Sequence, residues 1–230
     1  EKHAKLSLSY FPHAHPMCPR HLTAARGEKS KKEKRENLWR AATEKLVLAK
    51  MPHARLYDEE TFGDAAKNAA CLASEFGGDE KKFRRIDYGL FDMHAGFVME
   101  LDQNAHTPGR SYKCDHNSRF DQHVFDCMLQ LRGHLYDLYL IRVNPDGKQN
   151  GKRVSSSPDR GVEVSARVTA DALFRLLEHA KERQRRRDAG EEVAAKCFLI
   201  HFFYESSSTQ LVNEASLCST FSDRFEMLTL

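Results

Sequence analysis

The chain has no Cys-x-x-Cys pair, no glycine-rich phosphate loop and no apolar run long enough to span a bilayer. Each absence removes a class of protein. Its six cysteines, Cys18, Cys71, Cys114, Cys127, Cys197 and Cys218, stand singly, which argues against a disulfide framework and for a reducing compartment, nucleus or cytoplasm. Without a Walker loop or a GxGxxG turn, nucleotide-cofactor chemistry has no support. Without a long apolar stretch, a membrane partner is not expected. No internal repeat or low-complexity tract is present. The chain opens on Glu1 rather than Met and carries no secretory signal, so the expectation is an intracellular, non-secreted protein or a piece of a longer one.

Charge is plentiful but nearly balanced. A net charge of +3 over 230 residues, 30% of them charged, is too small to indicate a polyanionic partner. Two runs are locally basic, Lys29 to Arg35 (KSKKEKR) and Lys181 to Arg187 (KERQRRR). Each reads either as a phosphate-facing patch or as the solvated face of a helix. His13, His15, Cys18 and His21 lie close in sequence, but their spacing matches no zinc pattern.

The pattern along the chain predicts an irregular arm over residues 1–27, followed by one α/β domain over 28–230. A helix is expected from Ser30 to Ala49, with Leu38, Trp39, Ala42, Leu46 and Ala49 on one stripe. A second runs from Thr61 to Phe76 and a third from Tyr112 to Leu131. Leu135 to Val143 reads as a strand broken by Asn144-Pro145-Asp146-Gly147, and residues 147–161 as a polar loop. Thr169 is the expected cap of a helix from Ala170 to Asp188, ended by Gly190. Lys196 to Tyr204 is so apolar that it predicts a strand buried on both faces. Beyond it no single element is favoured.

The segment from Phe83 to His106 (FRRIDYGLFDMHAGFVMELDQNAH) is the most informative. Two apolar runs flank Asp92-Met93-His94-Ala95, which reads as a four-residue hairpin loop. Pairing Phe91 with Gly96 places Asp87 opposite Glu100 and Arg85 opposite Asp102. It also collects Ile86, Tyr88, Leu90, Phe97, Met99 and Leu101 on the other face. One face then packs on a core while the other gathers acids, with cross-strand Cβ separations of roughly 5 Å. Like charges this close repel unless a cation joins them, so a hard divalent ion is a natural partner. His106, six residues beyond Glu100 in a loop with Pro108 and Gly109, is within chain reach of such a site. The plain alternative is a set of solvated strand acids paired with Arg84, Arg85 and Arg119.

The ordered set Arg85-Ile86-Asp87, hairpin, Glu100-Leu101-Asp102 resembles the PD-(D/E)XK nuclease superfamily. The nearer likeness is to the branch holding the very-short-patch repair endonucleases, related homing endonucleases and viral nuclease-like proteins. Glu100 to His106, Tyr112-Lys113-Cys114, Arg119 and Ile141 to Asp146 (IRVNPD) follow in the order of that branch, so the resemblance spans roughly residues 36–204. It implies a restriction-endonuclease-like core, a mixed central sheet flanked by helices. It also implies metal-dependent hydrolysis of phosphodiester bonds with Mg²⁺ or Mn²⁺, on DNA or alternatively RNA.

By the same resemblance, Asp87, Glu100 and the carbonyl of Leu101 would hold the metal and His106 would act as base. Asp102 would bind a second ion or orient His106, and Glu36 would be the further acid of the first helix, with Glu33 and Glu44 as rivals. Arg119, Arg142, Arg185, Arg186 and Arg187 are the candidate nucleic-acid contacts, with Arg142 and Asn144 shaping the site. Three departures stand out: Ile86 in place of a Pro, Gln103 in place of a frequent Glu, and Asp102 where the superfamily carries its lysine. The last keeps open a nucleic-acid-binding module without cleavage, or an interaction protein without metal.

Overall fold

The computed structural model describes residues 31–58, 87–91, 95–102, 125, 135–149, 152–153, 157–204, 215–216 and 218–230. They form a mixed α/β structure. Six strands make one sheet in the order β1 (Leu56–Asp58), β2 (Tyr88–Phe91), β3 (Ala95–Leu101), β4 (Asp137–Val143), β7 (Cys197–Phe202), β8 (Phe225–Met227). β1, β2 and β3 pair antiparallel, whereas β3, β4, β7 and β8 run parallel. Two short strands, β5 (Lys148–Gln149) and β6 (Lys152–Arg153), pair separately. Helix α1 is Lys31–Lys50 and helix α2 is Pro158–Asp188. Among the described residues no helix is long and apolar enough to cross a membrane.

The expected hairpin register holds. Tyr88 pairs with Met99, Leu90 with Phe97 and Phe91 with Gly96. Tyr88, Leu90, Phe97, Met99 and Leu101 enter one core with Tyr139, Ile141, Val143, Phe198 and Ile200, under α1 and α2. Phe97, Tyr139 and Phe198 stack across three strands at 5.0 and 4.9 Å. The opposite face differs from the half-solvated ribbon expected: Val98, Leu138, Leu140, Cys197 and Leu199 bury against Phe125, Tyr136 and Phe225. The acids therefore lie at the rim of a covered face.

Helix α2 begins twelve residues before the predicted start. Ser157 caps it, its hydroxyl accepting from the Arg160 N–H, and Pro158 occupies the first turn, an arrangement suited to a helix start. Thr169 is no cap. It is buried in mid-helix, donating its hydroxyl to the Ser165 carbonyl. Small and polar residues, Ser165, Ala166, Thr169 and Ala170, line the buried stripe here and weaken the apolar period that would have marked the helix. Gly190 (φ 84°) ends α2 as expected, in the left-handed conformation glycine tolerates. The predicted helix Thr61 to Phe76 lies outside the described residues. So does the arm 1–27, and so does most of Tyr112 to Leu131, of which Phe125 is helical.

At the N-terminal end of β4 the end of α2 is tied to the sheet. Asp137, 1% exposed, accepts from Arg183 Nε at 2.9 Å, Arg187 Nη2 at 2.8 Å and the Lys196 amide at 3.0 Å. Removing one partner of a buried ion pair leaves the other desolvated, at a cost of about 3–5 kcal/mol. Asp137→Ala is expected to lower the unfolding free energy by about that much. Arg185→Ala, in an exposed pair with Glu182, should change it by less than about 1 kcal/mol. Urea unfolding monitored through the single tryptophan, Trp39, measures both. Equal small effects would show that the clasp does not hold the helix.

Candidate functional site

The C-terminal ends of β3, β4 and β7 carry a row of ionisable side chains on one face. Glu100 is level with Arg142 in the β3–β4 register, and Arg142 with His201 in the β4–β7 register. Continuing the β2–β3 register by one residue adds Asp87 beside Glu100. Glu100 Oε1 accepts from the Asp87 amide at 3.2 Å, and Asp87 Oδ2 accepts from the Leu101 amide at 2.8 Å. The two side chains thus reach across to each other's strand. The hairpin period placed them there, since only this register buries all the apolar partners on one side.

Asp102 follows β3 and its amide donates to the Val143 carbonyl at 2.9 Å. Its carboxylate is 4% exposed and accepts from Arg142 Nη1 at 3.4 Å and from the Tyr204 hydroxyl. Asp102 therefore holds a buried arginine and a tyrosine. Arg142 is 3% exposed, an internal cation level with Glu100 in the strand register.

Burial is the largest cause lifting the Asp87 carboxyl to about 7, followed by the negative charge of Glu36, with Asp102 adding to it; the Leu101 amide and Arg40 pull the other way. Glu100 is raised well above the usual carboxylate range by burial and then by the charge of Asp87, while Arg142 opposes the rise. Glu36, one of the helix acids considered, carries a charge that reaches Asp87. Among the described residues, no three or more His, Cys, Asp or Glu side chains are grouped so as to hold a metal ion. The arrangement is a carboxylate pair with Glu36 and Asp102 close enough for their charges to be felt. Each carboxylate of the pair uses one oxygen on a backbone amide, and among the described residues the other takes no hydrogen bond.

His106, Arg119, Arg84 and Arg85 lie outside the described residues. The basic run of α2 is at the opposite end of the sheet. Asp137, which binds Arg187, is five residues before Arg142 on the same strand, roughly 16 Å away. Arg187 is 5% exposed in its pair with Asp137, while Arg185 and Arg186 sit at the surface with Glu182 and Glu191. Arg187 has a structural role. His201 and Tyr204 were not singled out from sequence, because the relative stagger of parallel strands joined by long connections leaves no local signal.

The raised carboxyls have a consequence for stability. The folded state keeps a proton on Asp87 up to about pH 7, whereas an unfolded aspartate loses it near pH 4. Between those values the folded form binds more protons, so stability falls as pH rises through the window. The metal-free protein is expected to melt at a higher temperature at pH 5.5 than at pH 8. Asp87→Asn with Glu100→Gln should remove that difference, as scanning calorimetry across the range would read; an equal slope in the double variant would mean these carboxyls are not the source. No family model, no curated protein and no solved structure matches this chain.

Proposed function

We propose that this protein is a metal-dependent endonuclease that hydrolyses phosphodiester bonds, in DNA, on a restriction-endonuclease-like core. The observation that carries the reading is the pair Asp87 and Glu100, interlocked through backbone amides at the end of a mixed sheet. Their desolvation disfavours the charged form of both, a cost that a bound cation would offset. The donor set suits Mg²⁺ or Mn²⁺, since Mg²⁺ is commonly held by one or two carboxylates plus substrate phosphate and water. The resemblance to PD-(D/E)XK nucleases supports the same residues, with the Leu101 carbonyl as a further donor.

In this reading Asp87 and Glu100 would hold the ion, whose chemistry when bound would be to polarise a phosphodiester and acidify water. His106 accepts the proton of the attacking water. Arg142 carries the positive charge beside Glu100, fixed in place by Asp102 and Tyr204. Asp102, an acid where the superfamily has lysine, acts by holding Arg142. Arg119, Arg185 and Arg186 remain the candidate phosphate contacts.

A second reading is a nucleic-acid-binding module that has kept the fold and lost cleavage. The occupation of Asp102 by Arg142 and Tyr204 favours it, because no lysine stands at that position.

Supercoiled plasmid in Mg²⁺ should be nicked by the intact protein and not by Asp87→Asn or Glu100→Gln, with RNA of matched length assayed in parallel. Mg²⁺ should also raise the melting temperature at pH 8, since a ligand that binds only the folded form stabilises it. Binding of DNA without nicking by the intact protein would favour the second reading. Undiminished cleavage by both variants would place the chemistry elsewhere.

His106→Ala is expected to lose cleavage by about 10²-fold while keeping Mg²⁺-dependent DNA binding. Wild-type rates in that variant would remove His106 from the mechanism.

A further inference from the structure

Soon after Arg142, which is level with Glu100, the chain enters the Asn144-Pro145-Asp146-Gly147 turn, and the sheet fixes this turn from several sides. The Asn144 amide donates to the Phe202 carbonyl at 3.0 Å and the Gly147 amide to the Asn144 carbonyl at 3.1 Å. Asn144 Oδ1 accepts from the Asp146 amide at 3.1 Å, and its Nδ2 donates to the Phe203 carbonyl at 3.4 Å. A Cβ at Gly147 would sit 1.9 Å from that same carbonyl oxygen, so only glycine allows the approach. Phe203 itself is left-handed at φ 67°. The chain beyond Gly147 therefore leaves from a fixed root at the carboxylate end of the sheet.

The β5–β6 ribbon grows from that root and stands outside the six-stranded sheet. Its register sets Lys148 opposite Arg153 and Gln149 opposite Lys152. The two residues between the strands in sequence are Asn150 and Gly151, a pair that two-residue hairpin loops strongly favour. None of the four strand residues is apolar, so burial does not account for the ribbon. Like charges set directly opposite on paired strands are destabilising, and an anion offsets that repulsion. From Gly147 to Gly161 the chain carries four cations, Lys148, Lys152, Arg153 and Arg160, against one acid, Asp159. Arg160 is exposed in the first turn of α2.

The basic run of α2 differs in place and in company. It lies at the other end of the sheet, and Lys181, Arg183, Arg185, Arg186 and Arg187 are each paired with an acid. Lys148, by contrast, is six residues beyond Arg142, at most about 20 Å of extended chain. That is the rise of about six nucleotides of one DNA strand at ~3.4 Å each. One duplex thus spans both the ribbon and the carboxylate pair.

We infer, on the nucleic-acid reading of the Asp87–Glu100 site, that the β5–β6 ribbon is a contact for the phosphate backbone of duplex DNA, with Lys148, Lys152 and Arg153 supplying charge rather than base recognition. Fluorescence anisotropy of a labelled duplex tests this, titrated at a series of salt concentrations with the whole chain carrying Asp87→Asn and Glu100→Gln so that the DNA stays intact. Affinity falls with salt as a power set by the phosphates neutralised, about 0.9 for each. Adding Lys148→Gln, Lys152→Gln or Arg153→Gln singly should lower that exponent by about 0.9, and all three together by about 2.7, alike on two duplexes of unrelated sequence. Lys45→Gln, Arg175→Gln and Lys181→Gln together remove the same charge from exposed positions on α1 and α2 and should leave the exponent unchanged. With the carboxylates restored, the triple ribbon variant should nick plasmid slowly at about 200 mM salt and regain the intact rate at about 50 mM. An unchanged exponent in the ribbon variants, or an equal fall in the control, overturns the contact while leaving the carboxylate chemistry standing. A lowered exponent without nicking by the intact chain keeps the contact and overturns the cleavage. Absence of DNA binding overturns both.

Discussion

The parallel pairing of β3 with β4, from Ala95 opposite Asp137 to Leu101 opposite Val143, is the constraint on which the rest depends. It sets Glu100 level with Arg142 and carries the Asp102 amide to the Val143 carbonyl. At its other end it brings Asp137 under the last turns of α2. A slip of β3 by one residue would send Phe97, Met99 and Leu101 out of the helix-covered core and turn Glu100 into it. Burial of those side chains, each worth about 1.5–3 kcal/mol, therefore fixes where the charges sit. The site inherits its geometry from the core.

The two ends of that strand pair treat buried acid in opposite ways. Asp137 meets two guanidinium groups and a backbone amide, so its negative charge is neutralised within the protein. Asp87 and Glu100 meet backbone amides and one arginine across the row, with Glu36 and Asp102 adding negative charge. Structural acids are paired, because an uncompensated buried charge is costly. A carboxylate pair whose charged form is disfavoured by its surroundings is the kind of perturbed group that gathers at functional sites. The contrast within one strand pair is what separates the candidate site from the clasp.

Much of this was legible in the sequence and the remainder had physical reasons to be hidden. The hairpin register and the Asp87 to Glu100 pairing followed from period-two alternation, which is local and strongly specified when one face is buried. Helix α1, strands β4 and β7 and the stop at Gly190 were equally clear. The first three turns of α2 were not, since Ser165, Ala166 and Thr169 pack there in place of large apolar residues. Ser157-Pro158 was the available signal. The partners of Asp102 were beyond reach, because Tyr204 is about a hundred residues away and arrives only through the stagger of β4 and β7.

The kink at Phe203 shows how that distant partner is delivered. A non-glycine residue in the left-handed region costs about 1–2 kcal/mol, and it persists only where the surroundings determine it. Here its carbonyl is held by Asn144 and packed against Gly147. Had β7 continued straight, Tyr204 would have run on along the strand direction. With the chain turned at Phe203, its hydroxyl reaches Asp102, whose other contact is Arg142 beside Glu100. The strained residue, the glycine that admits it and the buried acid it serves form one connected unit, and Arg142 cannot move without disturbing Asp102, which it shares with Tyr204.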